Sequence, residues 1–190
     1  MKAKNLYTAA DCTETGYDCA LQGKVIVLSR QALPEDYQNQ LFFCSGGKIA
    51  NSNPIGRSVS LTSLSDGEQH RFFRSDVVGV LEPSLLPDSA KLHLSQIRPP
   101  NALPLEQNEP KYSGYSFLPD GRYASGVWLC SEQEVMDYIE LQKPYQHRIM
   151  ICDRDDFAVL ELQEGKLIYP SEEAMEAFRQ PEPQGGMTMT

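Results

Sequence analysis

The chain has 190 residues, of which 41% are hydrophobic and 23% are charged, and its formal net charge is −9 at pH 7. This composition is ordinary for a globular protein and excludes a disordered chain. No apolar run approaches the roughly 20 residues that a membrane-spanning helix requires, and the N-terminal lysines are not followed by the apolar core of a secretory signal. We therefore expect a protein of the cytoplasm with no membrane association.

The negative charge lies entirely in the second half of the chain. Up to Arg98 there are ten Lys/Arg and ten Asp/Glu residues, whereas from Pro99 onward seven Lys/Arg face sixteen Asp/Glu. This distribution argues against a protein that binds duplex DNA, because such a protein needs a net basic face to neutralise phosphates. It permits the reverse arrangement, in which an acidic surface docks on a basic protein, such as one that itself binds nucleic acid.

The five cysteines are odd in number, widely spaced and without a CxxC pair. The pattern predicts neither a disulfide framework nor a zinc site. Cys44, Cys130 and Cys152 lie in apolar stretches and are predicted to be small core residues with inert thiols.

The first half of the chain predicts a β-rich domain over residues 1–98, a β-meander or small barrel-like unit with short helices. Apolar, β-branched or alternating runs predict four strands, at residues 24–29, 41–44, 57–64 and 68–74. Ser65-Asp66-Gly67 is a strong hairpin signal, and residues 48–56 are rich in Asn, Pro and Gly, which favour loops. Residues 87–97 are predicted to form a short helix.

Four prolines between residues 98 and 110 predict a Pro-rich, semi-rigid linker over 99–112. An acidic α+β domain follows over 113–180, and a flexible tail over 181–190. A capping box at Ser131 and Glu134 starts a helix that ends near Gln142. Strands are predicted at the following residues: 115–118, 122–125, 148–152, 157–162 and 167–169, with a last helix after 171. The predicted fold class is α+β.

Three arginines and two aromatic residues mark the meander as a candidate surface for RNA or single-stranded DNA: Arg57, Arg71, Arg74, Phe72 and Phe73. Strand alternation places Arg71 and Phe73 on one face and Phe72 and Arg74 on the other, so that one aromatic belongs to the core. The structural alternative is local ion pairing, for example between Arg74 and Asp76.

No catalytic or metal-binding set is defensible from the sequence. A Cys44–His70 nucleophile and base would require neighbouring strands and an orienting third group, which the sequence does not indicate. Residues 45–48, SGGK, lack the spacing of a phosphate-binding P-loop, and residues 153–156, DRDD, lack that of an EF-hand. We therefore predict a protein that is not an enzyme and that holds no metal or cofactor.

Carboxylates of the second half form the predicted partner-binding set: Glu132, Glu134, Asp137, Glu140, Asp153, Asp155 and Asp156. Within the predicted helix, Glu134, Asp137 and Glu140 lie away from the apolar stripe and are expected to face water. Such a face is commonly only solvated. The sharper hypothesis is a carboxylate array that occupies a basic groove meant for nucleic acid.

Six stretches resemble a group of known proteins: YTAADC at 7–12, GKVIVL at 23–28, FCSGG at 43–47, GRSV at 56–59, LSDGE at 64–68 and RFFRSDVVGV at 71–80. They are similar to small accessory proteins that conjugative elements, plasmids and phages of gut Firmicutes carry. Some proteins of that setting are anti-CRISPRs that act on type II-A Cas9. The resemblance covers about the first ninety residues and implies evasion of host defence without assigning any site residue.

Two functions follow as expectations. The first is an anti-defence protein in the bacterial host cytoplasm, which inhibits a CRISPR-Cas9 effector by binding the Cas9–guide RNA complex and blocking DNA binding or cleavage. The second is a nucleic-acid-binding accessory or regulatory module of a conjugative element or phage, which would use Arg57, Arg71 and Arg74.

Overall fold

The computed structural model describes residues 6–35, 37, 39–46 and 58–170. Within these residues the chain forms two antiparallel sheets, of six and five strands, and two α-helices. The fold is therefore α+β with more sheet than helix. None of the described helices is long and apolar enough to cross a lipid bilayer.

The six-stranded sheet has the order β1-β6-β2-β3-β4-β5, and the bounds of its strands are β1 Cys12–Thr15, β2 Val25–Leu28, β3 Leu41–Gly46, β4 Ser58–Ser63, β5 Gln69–Phe73 and β6 Val77–Leu81. Strands β2 to β5 follow one another as an antiparallel meander. Among the described residues β1 and β5 each pair on one side only, so a barrel-like closure is not confirmed.

Strand β2 lies inside this sheet and is buried on both of its faces. Ile26 and Leu28 join one apolar cluster, while Val25 and Val27 join another on the opposite face. A short run without polar alternation is the pattern expected of such a strand. The second face is covered by helix α1, Asp88–Ser95, through the buried Ala90 and Leu94.

The five-stranded sheet has the order β11-β10-β9-β7-β8, with β7 at Tyr112–Phe117, β8 at Val127–Leu129, β9 at Arg148–Cys152, β10 at Ala158–Gln163 and β11 at Lys166–Tyr169. The prediction of a strand at residues 122–125 is wrong, because none forms there. The turn exists, since the Leu118 amide donates to the Arg122 carbonyl (2.8 Å), but only a single bridge joins Phe117 and Tyr123. The chain then passes over the Tyr115 ring at Gly126, where a Cβ atom would lie 2.5 Å from that ring. The strand pairing with β7 resumes only at β8.

Helix α2, Glu132–Gln142, packs on one face of the five-stranded sheet. Its Tyr138 is fully buried over Gly114, where a Cβ would lie 2.8 Å from the ring. The Tyr138 hydroxyl donates to the Ser95 carbonyl (2.8 Å), and Leu141 belongs to the apolar cluster of the six-stranded sheet. Helix α2 therefore contacts the cores of both sheets.

The segment predicted as a linker makes specific contacts. The Leu103 amide donates to the Glu134 carboxylate (2.9 Å), Pro99 is buried, and the Lys111 amide donates to the Leu129 carbonyl (2.9 Å). A semi-rigid linker over 99–112 is thus not confirmed, and Tyr112 already belongs to β7. The domain ranges 1–98 and 113–180 stay a prediction. The predicted loop 48–56, the helix after 171 and the tail 181–190 lie outside the described residues.

Candidate partner-binding site

The arginines of the meander do not form one surface. Arg71 and Phe73 are exposed on β5 while Phe72 packs against the core, as the strand alternation predicts. Arg74 lies at the end of this strand and is 2% exposed. Arg57 lies outside the described residues. Among the described arginines of this set, Arg71 alone faces solvent.

Arg74 has a structural role, so its prediction as a nucleic-acid contact is wrong. Its guanidinium donates to the Gly16 carbonyl (2.6 Å) and to the Cys19 sulfur (3.1 Å), and it lies 5.3 Å from the centroid of the Tyr17 ring. Among the described residues no ion pair joins Arg74 to Asp76, whose carboxylate accepts from the Phe73 amide (3.0 Å). A buried guanidinium needs such acceptors to offset its lost hydration.

Glu134, a member of the predicted acidic set, is also buried. It was predicted to face water, but it is 3% exposed. Its Oε2 accepts from the Arg98 guanidinium (2.8 Å) and the Cys130 amide (3.0 Å), and its Oε1 accepts from the Leu103 amide (2.9 Å). The segment after Arg98 folds over the first turn of α2 and encloses this carboxylate. Glu134 is therefore unavailable to a partner.

The start of α2 confirms half of the predicted capping box. The Ser131 hydroxyl accepts from the Glu134 amide (3.2 Å), as a helix N-cap does. The Glu134 side chain reaches back to the amide of Cys130 rather than to that of Ser131. Its carboxylate is thereby placed where the Arg98 guanidinium can also reach it.

Four of the predicted carboxylates belong to one end of the five-stranded sheet, which we name the acidic end: Glu132, Asp153, Asp155 and Asp156. Glu132 opens α2 and accepts from the Tyr112 hydroxyl (2.9 Å), while the other three belong to the turn between β9 and β10. Asp153 shapes that turn, since its Oδ1 accepts from the amides of Asp155 (2.9 Å) and Phe157 (3.0 Å). The backbone therefore fixes where these charges lie.

Asp137 and Glu140 lie elsewhere on α2. Both line a groove of about 290 Å³ together with Pro99, Pro100 and Leu141. Glu140 forms an ion pair with Lys143, and Asp137 accepts from the Gln133 side chain (2.8 Å). The seven predicted residues are thus one buried carboxylate, two residues of this groove, and the acidic end.

The acidic end keeps its negative charge. In the part of the chain that the structure describes, no ion pair includes Glu132, Asp153, Asp155 or Asp156. Lys111 and Arg154 line the adjoining groove, and Arg154 pairs with Glu109 (3.1 Å). Among the described residues of this end and its groove, four carboxylates therefore outnumber Lys111, the one cation that these ion pairs leave.

Two pKa shifts occur at the acidic end, those of Tyr112 and Glu132. Burial, followed by the hydrogen bond and charge of Glu132 and the charge of Asp153, raises the pKa of Tyr112 to about 12. A hydrogen bond from its own backbone amide, followed by that from Tyr112, lowers the pKa of Glu132. At neutral pH Glu132 is therefore ionised, and the Tyr112 phenol beside it stays protonated.

Exposed aromatic residues beside the acidic end were not identified from the sequence. Phe157, which closes the acidic turn, is 70% exposed. Trp128 is 55% exposed and pairs in register with Ser113, which in turn pairs with Cys152 at the start of the turn. The sequence did contain a signal for the exposure of Trp128. Val127 and Leu129 are apolar and lie on either side of it in β8, so strand alternation places Trp128 on the opposite face.

The structure gives no support to a Cys44–His70 catalytic pair. Cys44 pairs with Leu61 and Leu61 pairs with His70, so that a full strand separates the two side chains. Burial raises the pKa of Cys44 to about 11, which disfavours the nucleophilic thiolate. All five cysteines are free thiols, and Cys44, Cys130 and Cys152 are buried as predicted.

No family model matches this chain, and the comparisons with curated proteins and with solved structures found no match.

Proposed function

We propose that this chain is a non-enzymatic binding protein whose acidic end docks on a basic, nucleic-acid-binding surface of another protein. The observation that supports this most is the concentration of Glu132, Asp153, Asp155 and Asp156 at one end of a sheet, outside the ion pairs of the described structure. Carboxylates that lie outside ion pairs on a fixed backbone can bind the cations of a partner.

The surroundings of the acidic end suit a protein partner. Interfaces combine charged contacts, which steer association, with a few buried side chains that dominate the binding energy and are often aromatic. Phe157 and Trp128 provide exposed aromatic area beside the carboxylates. An isolated patch of charge would lack such anchors.

The proposed partner is a Cas9–guide RNA complex, and the proposed outcome is a block of DNA binding or cleavage in the bacterial host cytoplasm. This part of the proposal rests on the sequence resemblance to accessory proteins of mobile elements. It is physically reasonable because Cas9-type effectors hold nucleic acid in positively charged channels and read the PAM through arginines. A carboxylate array can compete with phosphates for such residues.

The alternative is a nucleic-acid-binding module of a mobile element that uses Arg71 and Arg57. The burial of Arg74 removes one of its three arginines, and Arg57 lies outside the described residues. The exposed pair of Arg71 and Phe73 keeps this alternative worth testing. It requires binding to naked nucleic acid, whereas the inhibitor does not.

The test is size-exclusion co-elution of this chain with Cas9, with and without guide RNA, together with a target-DNA cleavage assay. Co-elution with loss of cleavage is expected. The proposal fails if the chain elutes separately and cleavage proceeds at its normal rate. A gel-shift assay with free guide RNA and single-stranded DNA then decides whether the nucleic-acid module replaces it.

A further inference from the structure

Away from the acidic end, the hairpin between β4 and β5 carries three residues with metal-ligating side chains: Asp66, Glu68 and His70. One ligand atom from each of them lies within 4.8 Å of those of the other two. Bonds of about 2.0–2.2 Å from Zn²⁺ to oxygen or nitrogen place neighbouring ligand atoms about 3 to 4 Å apart. A single cation can therefore reach all three after small side-chain rotations.

The backbone brings these side chains together without help from a ligand. The Ser63 amide donates to the Glu68 carbonyl (2.9 Å), and the Gly67 amide donates to the Ser63 carbonyl (3.0 Å). Gly67 adopts a φ of +77°, which closes the turn. Glu68 and His70 are two residues apart on an extended chain, so their side chains leave the same face.

Ring contacts hold the imidazole of His70 in place, and among the described residues it has no hydrogen-bond partner. Its ring contacts those of Tyr37, Phe42 and Phe72, with centroids 6.0–6.3 Å away. Its Nε2 is buried without a partner, and across the described residues neither ring nitrogen takes part in a hydrogen bond. The lone pair of the unprotonated ring nitrogen in a neutral imidazole is therefore available to a metal ion.

The Asp66 carboxylate is oriented by its own hydrogen bonds. Its Oδ2 accepts from the Tyr37 hydroxyl (3.2 Å), and its Oδ1 accepts from the Glu68 amide (2.9 Å). Outer hydrogen bonds of this kind fix the orientation of metal ligands in known sites. Each carboxylate oxygen has a second lone pair, so these bonds do not exclude coordination.

We propose that Asp66, Glu68 and His70 form a binding site for a divalent transition metal, with Zn²⁺ as the preferred ion. Imidazole nitrogen with carboxylate oxygen suits Zn²⁺, whereas Ca²⁺ and Mg²⁺ prefer oxygen ligands throughout. Three protein ligands leave the fourth tetrahedral position to water. The bound ion would tie together the hairpin that presents Arg71, independently of the acidic end.

The test is isothermal titration of the full chain with ZnCl₂ at neutral pH, with a non-chelating reductant. One Zn²⁺ per chain is expected to bind. His70→Phe keeps a ring among Tyr37, Phe42 and Phe72 but removes the ligand, and Glu68→Gln changes an exposed side chain. Each is expected to weaken binding by about tenfold or more. His93→Gln, in α1, is the matched control and should bind as the wild type does.

Free thiols also bind Zn²⁺, so the site has to be localised. In ¹H–¹⁵N spectra, Co²⁺ should broaden the amides of residues 66–70 first, and His70→Phe should abolish that broadening. The proposal is overturned if wild-type protein binds no Zn²⁺, or if His70→Phe and Glu68→Gln both bind with wild-type affinity. Circular dichroism establishes that each variant is folded, and Glu68→Gln decides the matter if His70→Phe is not.

Discussion

Replacing Glu134 by glutamine should destabilise the protein strongly, although sequence alone places this residue on a solvated helix face. The residue is 3% exposed, and its carboxylate accepts hydrogen bonds from Arg98, Cys130 and Leu103. Glutamine has one acceptor oxygen, and its NH₂ group would face a donor in place of the other oxygen. The change therefore removes the ion pair and leaves at least one buried donor unpaired.

Breaking a buried ion pair by removing one partner costs about 3 to 5 kcal/mol. Because the Arg98 side chain is 22% exposed and regains some hydration, we take the lower end, about 3 kcal/mol. In a chain of this size about 1 kcal/mol shifts the melting temperature by roughly 2 to 4 °C, so the expected decrease is about 6 to 12 °C.

Urea denaturation followed by circular dichroism measures this loss. The matched control is Glu140→Gln on the same helix, which breaks an exposed pair with Lys143 and should change the free energy of unfolding by less than about 0.5 kcal/mol. Arg98→Met completes a double-mutant cycle with Glu134→Gln, and a coupling of at least about 1 kcal/mol is expected. Equal stability of Glu134→Gln and Glu140→Gln would show that the buried ion pair with Arg98 does not stabilise the fold.

Three further predictions concern other parts of the molecule. Arg74→Lys should lower the free energy of unfolding by about 2 kcal/mol because it loses buried guanidinium contacts. Arg71→Lys, at an exposed position, should change that free energy by less than about 0.5 kcal/mol. Equal losses in the two variants would contradict the different burial of the two arginines. Burial raises the pKa of Cys44 to about 11, so peptide mapping after iodoacetamide treatment should find Cys44 modified later than the half-buried Cys19, and simultaneous modification would contradict this. Burial and its acidic neighbours raise the pKa of Tyr112 to about 12, above the ordinary value near 10. The contribution of this phenol to stability is therefore complete below about pH 10 and is lost as the pH rises through about 12. Urea midpoints that do not fall between these two pH values would contradict this prediction.

Local patterns predicted most of the secondary structure. Apolar runs and turn residues predicted β2 to β5 of the first sheet, and the N-cap Ser131 with its stop near Gln142 predicted α2. The strand expected at 122–125 failed because the contact between Gly126 and the Tyr115 ring, which delays the pairing with β7, depends on residues that local patterns do not connect.

The site was predicted only in part, for a similar reason. Helical periodicity placed Glu134 away from the apolar stripe of its own helix, but it carries no information on the segment after Arg98 that covers this carboxylate. For Arg74 the information was present, since alternation assigns it to the same side as Phe72. The acidic turn at Asp153 to Asp156 needed no tertiary information, because its backbone hydrogen bonds are local.

If the acidic end binds a basic partner, changing its charge must weaken that binding. We therefore compare the affinity of the wild type and of a variant with an altered acidic end for the Cas9–guide RNA complex. Glu132→Gln, Asp155→Lys and Asp156→Asn change charge while keeping Asp153, which shapes the turn, and Asn tolerates the left-handed conformation of Asp156 (φ 61°). Glu164→Lys, in the turn at the opposite end of the sheet, is the control.

Biolayer interferometry with immobilised complex provides the measurement. The triple variant is expected to bind at least about tenfold more weakly than the wild type, a loss of about 1.4 kcal/mol, and Glu164→Lys is expected to bind nearly as the wild type does. Wild-type affinity in the triple variant, with circular dichroism showing an intact fold, would contradict the claim.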